Sequence, residues 1–235
     1  MIYTKDFVYY YDLFKDDKAY GKTVNKLVSL FKKHDVKTVL DIGCGTGKIA
    51  KLLESKGYKV VGIDNSKEMI KHAKKHHPEI TFKLMEAQTF RFNSKFDAII
   101  ALDSVLTYLT KKGEFEKAIK NMVKHMKTGS ILYFFTGFTE RQIPIGFTDH
   151  FFKRAKLKGV TYKKEYLMKR QKNLLLTTVR IFENNEIVVE EDHNHRIISE
   201  KLVLKLLKRL NCEVKIKGNS EGKNHSPMGV IAEKQ

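Results

Sequence analysis

Val24, Leu27, Val28 and Phe31 recur at i, i+3, i+4 and i+7, the spacing of one apolar helix face. The next apolar run, Thr38-Val39-Leu40-Asp41-Ile42, is too short for a helix and stops at Gly43, so it reads as a buried strand. Residues 47–56 return to helical spacing, with Ile49, Leu52 and Leu53 inward, and Tyr58 to Ile63 forms a second strand. Ser66 can cap a helix to about His76, since Met69, Ile70 and Ala73 share a face and Pro78 lies just beyond. Strands follow at Ile80 to Leu84 and Phe96 to Leu102. A helix over Glu114 to Met126 carries the stripe Phe115, Ala118, Ile119, Met122 and Val123, and Ser130 to Phe135 is a fifth strand.

Five strands alternating with helices predict a parallel sheet covered by helices on both faces. The alternation then breaks. Val160–Lys169, Leu174–Glu183 and Ile187–His195 are consecutive strand-like segments, and Asn184-Asn185 marks a hairpin because Asn tolerates positive φ. Ser199 caps a helix through Leu210, and Glu213–Lys217 and Met228–Ala232 close the fold around a mobile loop, Gly218 to Pro227. The expected fold is α/β, a doubly wound, seven-stranded, mostly parallel sheet with an antiparallel β insertion after strand five. Residues 1–136 are the core with N-terminal helices, 137–196 the insertion, and 197–235 the closing helix and strands of the core.

At 235 residues the chain is one large domain, or one domain with an insertion. Apolar runs such as Ala98 to Leu102 are far short of the ~20 residues needed to cross a bilayer. Met1 to Tyr11 mixes Lys and Asp among its aromatics and has no signal-peptide core. Two cysteines make no disulfide framework, which suits a reducing cytoplasm. The net charge of +18 raises a nucleic-acid partner as an alternative. The charge is spread over Lys32–Lys33, Lys74–Lys75, Lys111–Lys112, Lys163–Lys164 and Lys208–Arg209, with no single basic block. A general lysine coating therefore accounts for it better.

Candidate chemistry concentrates at Asp41-Ile42-Gly43-Cys44-Gly45-Thr46-Gly47, a Gly-rich turn between the first strand and its helix. Such a turn lets a ligand approach the backbone at the carboxyl edge of the sheet. Asp64 ends the second strand, where a carboxylate can take both hydroxyls of a ribose, and Glu86 follows the third, within reach of an adenine edge. The nicotinamide fingerprint G-x-G-x-x-G is not met, because the third Gly comes at Gly47 and Lys48 follows it. The turn instead resembles motif I, D-x-G-x-G-x-G, of the class I S-adenosylmethionine-dependent methyltransferases, and Val61-Gly62-Ile63-Asp64-Asn65-Ser66 resembles their second motif. The resemblance implies S-adenosyl-L-methionine as cofactor and S-adenosyl-L-homocysteine as product. It implies that Asp41 helps hold the amino acid end of the cofactor. The remaining cofactor set it implies is Gly43, Cys44, Gly45, Gly47, Asp64, Asn65, Met69, Glu86, Ala87, Leu102, Ser104 and Tyr20.

Phe96 to Ser104 resembles motif IV at the mouth of the cofactor pocket, without the Asp/Asn-Pro-Pro-Tyr common in enzymes that methylate nucleic-acid bases. Asp103-Ser104-Val105-Leu106-Thr107-Tyr108-Leu109 resembles the F-S-S-x-G-Y-L stretch of the desosamine-type amino-sugar N,N-dimethyltransferases, relatives of glycine N-methyltransferase. Tyr11-Asp12-Leu13-Phe14 with Tyr20 resembles their N-terminal segment, which closes over the cofactor, and His193 to Glu200 resembles their H-x-x-R-x-F-T/S-x-E element. Asp103 stands where the sugar enzymes have Phe, and the Lys-rich stretch from Phe138 to Tyr166 matches no specificity pattern.

Methyl transfer from a sulfonium needs alignment above all, worth ~7–11 kcal/mol. Asp103 is the first catalytic candidate, to orient an amine or accept its proton, with capping of the helix after strand four as the alternative. Tyr11 and Tyr20 either shield the sulfonium through cation–π attraction or simply pack. His193 and His195 are read as facing opposite sides of their strand, so that one of them can reach the pocket, His193 being the catalytic candidate, with a solvated or core-satisfied histidine as the favoured alternative for each. Cys44 is a small residue in the turn, and no Cys/His set has zinc spacing. The expected activity is methyl transfer to a small-molecule acceptor, an amine nitrogen. An RNA methyltransferase and a non-catalytic cofactor-binding module are the alternatives. The insertion serves either as a substrate lid or as a homodimer surface.

Overall fold

The computed structural model describes residues 3–137, 139–140, 142–217 and 229–235. The expected loop Gly218 to Pro227 lies outside the described residues. In chain order the elements are α1 (Lys5–Tyr11), a one-turn 3-10 helix (Asp12–Phe14), α2 (Asp17–Lys32), β1 (Thr38–Ile42), α3 (Lys48–Glu54), β2 (Lys59–Asp64), α4 (Lys67–His76) and β3 (Thr81–Leu84). They continue with β4 (Phe96–Ala101), a second 3-10 turn (Val105–Tyr108), α5 (Glu114–Lys124) and β5 (Met126–Phe135). The last are β6 (Thr148–Leu157), β7 (Val160–Gln171), β8 (Leu174–Glu183), β9 (Glu186–Arg196), α6 (Glu200–Arg209), β10 (Cys212–Lys217) and β11 (Gly229–Lys234).

Seven strands form one sheet in the order β10-β11-β5-β4-β1-β2-β3. β1 pairs in parallel with β2 and β4, β3 extends the sheet beyond β2, and β5 lies beyond β4, while β10 and β11 pair antiparallel at the far edge. Side chains alternate across a strand, and β1 shows how this builds two cores. Leu40 and Ile42 face α5 and α6 through Phe115, Ile119, Val203 and Leu207. Val39 faces the other way, with Ala98 and Ile100, onto Phe31 of α2, Leu53 of α3 and Ile70 of α4. Central strands buried on both faces carry nearly continuous apolar runs, which is why they are legible in the sequence. Met126, expected at the end of the helix, is instead the first residue of β5, and the ladder with β4 shifts register between Phe96 and Ala98.

The second sheet is an antiparallel meander in the order β6-β7-β8-β9. The sequence predicts three of its strands, and β6 is the addition. Thr148–Leu157 is exposed along almost its whole length, so no hydrophobic alternation marks it. β8 alternates cleanly, and its buried residues Val179 and Ile181 join Val189 of β9 and Phe7 of α1 in a third cluster, with Tyr3, Tyr11, Phe14 and Tyr166 at its margin. The small sheet thereby seats the N-terminal segment beside the carboxyl ends of the large sheet's strands. Among the described residues no helix is long and apolar enough to cross a membrane.

Candidate active site

The turn after β1 is shaped by backbone that only glycine accommodates. Gly43 has φ +68, and a Cβ there would meet Val105 Cγ2 at 2.1 Å. Gly45, at φ +54, has nothing closer to a would-be Cβ than Met69 Sδ at 4.0 Å, so its backbone is bare toward open space. That space is a cavity of about 330 Å³ at the carboxyl ends of β1, β2 and β4, within the range of small-molecule sites. In doubly wound sheets this is where ligands bind.

Asp41, Gly43, Cys44, Gly45, Asp64, Asn65, Met69, Glu86, Ala87, Leu102, Asp103, Tyr11 and Tyr20 all line the cavity. Gly47, Ser104 and His193 do not. Gly47, at φ +84, is the N-cap of α3 and donates its N–H to the Cys44 carbonyl at 2.9 Å, so it shapes the turn from behind. Ser104 (φ +61) follows Asp103 (φ +49) in a left-handed pair just after β4, and its carbonyl accepts from Thr107 Oγ1 at 2.6 Å. His193 stands one layer back, its Nδ1 at 3.0 Å from the Tyr108 hydroxyl. The expectation that His193 and His195 face opposite sides also fails, because residues two apart share a strand face. Both rings pack on Tyr108, with centroids at 5.9 and 4.4 Å.

Two carboxylates differ in their partners. Asp64 Oδ2 accepts the Gly45 N–H at 2.9 Å and its Oδ1 accepts the Ser66 N–H at 2.8 Å, while burial raises its pKa. A carboxylate has about four acceptor sites, so Asp64 retains capacity for hydroxyl donors. Asp41 is 3% exposed and its Oδ2 has no hydrogen-bond partner. Burial, with lesser contributions from Asp64 and Asp103, pushes its pKa up to about 8. A buried acceptor without a donor is costly and calls for a ligand cation or donor. Burial also pushes the Cys44 thiol up, which leaves it an inert packing residue.

The N-terminal segment roofs the cavity. Thr46 Oγ1 donates to Asp12 Oδ1 at 3.1 Å and Lys48 Nζ to Asp17 Oδ1 at 2.9 Å, tying that segment to the Gly-rich turn. Asp103 does not cap the following turn. Its carboxylate accepts from Lys15 Nζ at 2.8 Å, and the same ammonium lies 4.7 Å from the Tyr11 ring centroid and 5.8 Å from that of Tyr20. Sequence reasoning missed Lys15, Tyr3, Tyr108 and Glu191. Tyr108 at least lies in the stretch that resembles the sugar enzymes. Tyr3 and Glu191 meet only through the tertiary fold, where Glu191 Oε2 accepts the Tyr3 N–H at 2.9 Å across 188 positions.

Residues 39–129 match a family model described as a methyltransferase domain. This part of the chain is a methyltransferase domain. It contains the Gly-rich turn, Asp41, Asp64, Glu86 and Asp103. Relatives of the domain include the dTDP-3-amino-3,4,6-trideoxy-alpha-D-glucopyranose N,N-dimethyltransferase of Streptomyces venezuelae, 26% identical over 135 residues, which cover 56% of this chain and 57% of that protein. Glycine N-methyltransferase of Oryctolagus cuniculus is 28% identical over 125 residues, 45% of this chain and 42% of that protein. The chain thus spans about half the length of the curated relatives it matches. The fold extends beyond the matched domain. The structure of CalS10, an amino pentose methyltransferase from Micromonospora echinaspora with S-adenosylmethionine bound, superposes with a TM-score of 0.84 at 16% identity, covering 100% of this chain and 98% of that one.

Proposed function

We propose that the chain transfers a methyl group from S-adenosylmethionine to an amine nitrogen of a small-molecule acceptor. The observation that carries the reading is the unpartnered, buried Asp41 oxygen in the wall of a cavity that also holds Asp64. A ribose-bearing ligand with an ammonium and a sulfonium centre fits that acceptor-rich set: Asp41 toward the amino acid ammonium, Asp64 toward the ribose hydroxyls, Glu86 and Asn65 at the base edge. When bound, the cofactor supplies an electrophilic methyl on a sulfonium. Tyr11 and Tyr20 line the same cavity, with the Lys15 ammonium over their rings at 4.7 and 5.8 Å. Asp103 lines the cavity with its carboxylate paired to Lys15, so an arriving amine meets that pair and not a free carboxylate.

The roof argues for a small acceptor. Tyr11 and Tyr20, with Lys15 between them, narrow the opening through which an acceptor must reach the methyl. The amino-sugar and glycine enzymes among its relatives support an amine as the class of nucleophile. A reducing, cytoplasmic setting fits the two free, buried thiols Cys44 and Cys212.

Incubation of the protein with methyl-labelled S-adenosylmethionine and whole or desalted host extract tests the reading. Label in the small-molecule fraction, lost on desalting, is the expected result. Label in a ribonuclease-sensitive macromolecular fraction would overturn it and assign the +18 charge to RNA binding.

A further inference from the structure

Behind the cavity wall runs a chain of hydrogen bonds that the methyl-transfer reading leaves unused. The Tyr3 hydroxyl donates to the Tyr108 hydroxyl at 2.8 Å, and both tyrosines line the cavity. Tyr108 has one proton, so while it accepts from Tyr3 it donates to His193 Nδ1, 3.0 Å away. The other imidazole nitrogen, Nε2, is buried without a formed hydrogen bond, 3.3 Å from Glu191 Oε2. Glu191 is itself buried and fixed. It accepts the N–H of Tyr3 at 2.9 Å, the N–H of Thr4 at 2.8 Å and the Thr4 hydroxyl at 2.6 Å.

We propose that Tyr3, Tyr108 and His193 form a relay that takes the proton of the acceptor amine, with Glu191 as the counter-ion of the imidazolium. The inference rests on the amine reading above. An amine reaches the site mostly as ammonium and is nucleophilic only when neutral. In the proposed step an ammonium N–H bond breaks and its electron pair stays on nitrogen. The proton joins the Tyr3 oxygen, the Tyr3 proton passes to Tyr108, and the Tyr108 proton passes to His193 Nδ1. The products are a neutral amine and an imidazolium paired with the Glu191 carboxylate. Tyr3 meets the acceptor, and Tyr108 and His193 carry the proton onward. Glu191 is a positioning residue.

The surroundings favour this direction. Burial raises the Tyr108 hydroxyl well above its ordinary value, so it is a neutral conduit and not a standing phenolate. Burial acts to raise Glu191 too, but His193 and the donors from Thr4 and Tyr3 hold it below the usual carboxylate range, so it is ionised. His195, on the same face, is lowered to about 4 by burial and by His193, and stays neutral. Lys164 of β7 interacts electrostatically with Glu191, and Lys15 acts on the Tyr108 hydroxyl. Phe7 and Tyr3 close the His193 ring from the N-terminal side at centroid distances of 5.2 and 5.4 Å, which keeps water off the imidazole.

The tautomer of His193 tests the route without any acceptor. Nitrogen-15 spectra of the full-length protein at neutral pH, assigned with His193→Gln, are expected to show Nδ1 bare and Nε2 protonated. A proton resident on Nδ1 would overturn the proposal, because that nitrogen could not then accept from Tyr108. Turnover gives the second readout, with dTDP-3-amino-3,4,6-trideoxyglucose and glycine as probes. Tyr108→Phe and His193→Gln should each lower kcat by about 100-fold or more at pH 7, with unchanged S-adenosylmethionine affinity. The loss should shrink as pH is raised from 7 to about 9.5, where a much larger fraction of either amine is already neutral. An equal loss at both pH values would mean a structural role and sink the relay. If wild-type protein binds cofactor but turns over neither probe, the acceptor reading has failed, and the tautomer still decides the hydrogen-bond route.

Discussion

The Lys15 ammonium pairs with the Asp103 carboxylate at 2.8 Å, joining the N-terminal roof to the end of β4 at the cavity rim. The pair is half exposed on the Asp103 side, so water screens it and its bearing is on the acceptor more than on stability. Lys15 occupies the charge that Asp103 would otherwise offer to an amine. Lys15→Met is therefore expected to lower KM for a cationic amine acceptor, by about two- to fivefold, the equivalent of ~0.5–1 kcal/mol. Steady-state kinetics with an amine acceptor checks this, and a raised KM would show that Lys15 holds part of the acceptor instead.

On the proposed reading, Asp41 makes S-adenosylmethionine binding proton-linked. Its pKa of about 8 in the free cavity keeps it mostly protonated at pH 7, and a bound cation favours the ionised form. S-adenosylmethionine binding at pH 7 should then release close to one proton, read from the binding enthalpy in buffers of different ionisation heat. Asp41→Asn should abolish the release and weaken binding ~10–100-fold, the cost of losing a hydrogen bond to a charged group. The same residue sets a sign for stability. The folded pKa is raised, so the folded state holds a proton that the unfolded state loses, and stability falls as pH rises from about 4 to about 8. Asp41→Asn should flatten that slope in denaturant melts.

Lys164 has the opposite slope. It is 5% exposed, lies over the Phe7, Tyr11 and Tyr166 rings at 4.7 to 5.8 Å, and is lowered by burial and then by Lys15 and Lys153 to about 7. Between about pH 7 and the ordinary lysine range the unfolded chain binds the extra proton, so stability rises with pH there. Lys164→Met fills similar volume without the buried amine. It is expected to stabilise the protein at pH 7 by ~1–3 kcal/mol and to remove the rise. Chemical denaturation at pH 7 and at about pH 9.5 measures both effects.

Gly43 couples the turn to the segment after β4. Gly43→Ala should lower Tm and cost ~1–3 kcal/mol, since the new Cβ strikes Val105 and φ stays positive. Adding Val105→Ala should recover part of the loss. A purely additive double mutant would mean the cost is all backbone strain and the contact is immaterial.

Burial on both faces leaves a continuous apolar signature, and so β1, β2 and β4, with the helices beside them, were legible from residues alone. The Gly-rich turn was legible because its chemistry is local: Asp41 and the glycines are neighbours in the chain, and Asp64 follows one βα unit later. β6 left no such trace, because a strand exposed on both faces has no alternation to read. The shared face of His193 and His195 follows from strand geometry, yet their common partner Tyr108 comes from a different element. Only tertiary structure decided that Lys15 meets Asp103 and that Tyr3, Tyr108, His193 and Glu191 form one chain. The sequence by itself determined the Gly-rich side of the cavity, where one strand–turn–helix unit brings its groups together. The opposite side is assembled from the N-terminal segment, the turn after β4 and β9, whose separation along the chain is closed only by packing the small sheet and α1 over the large one.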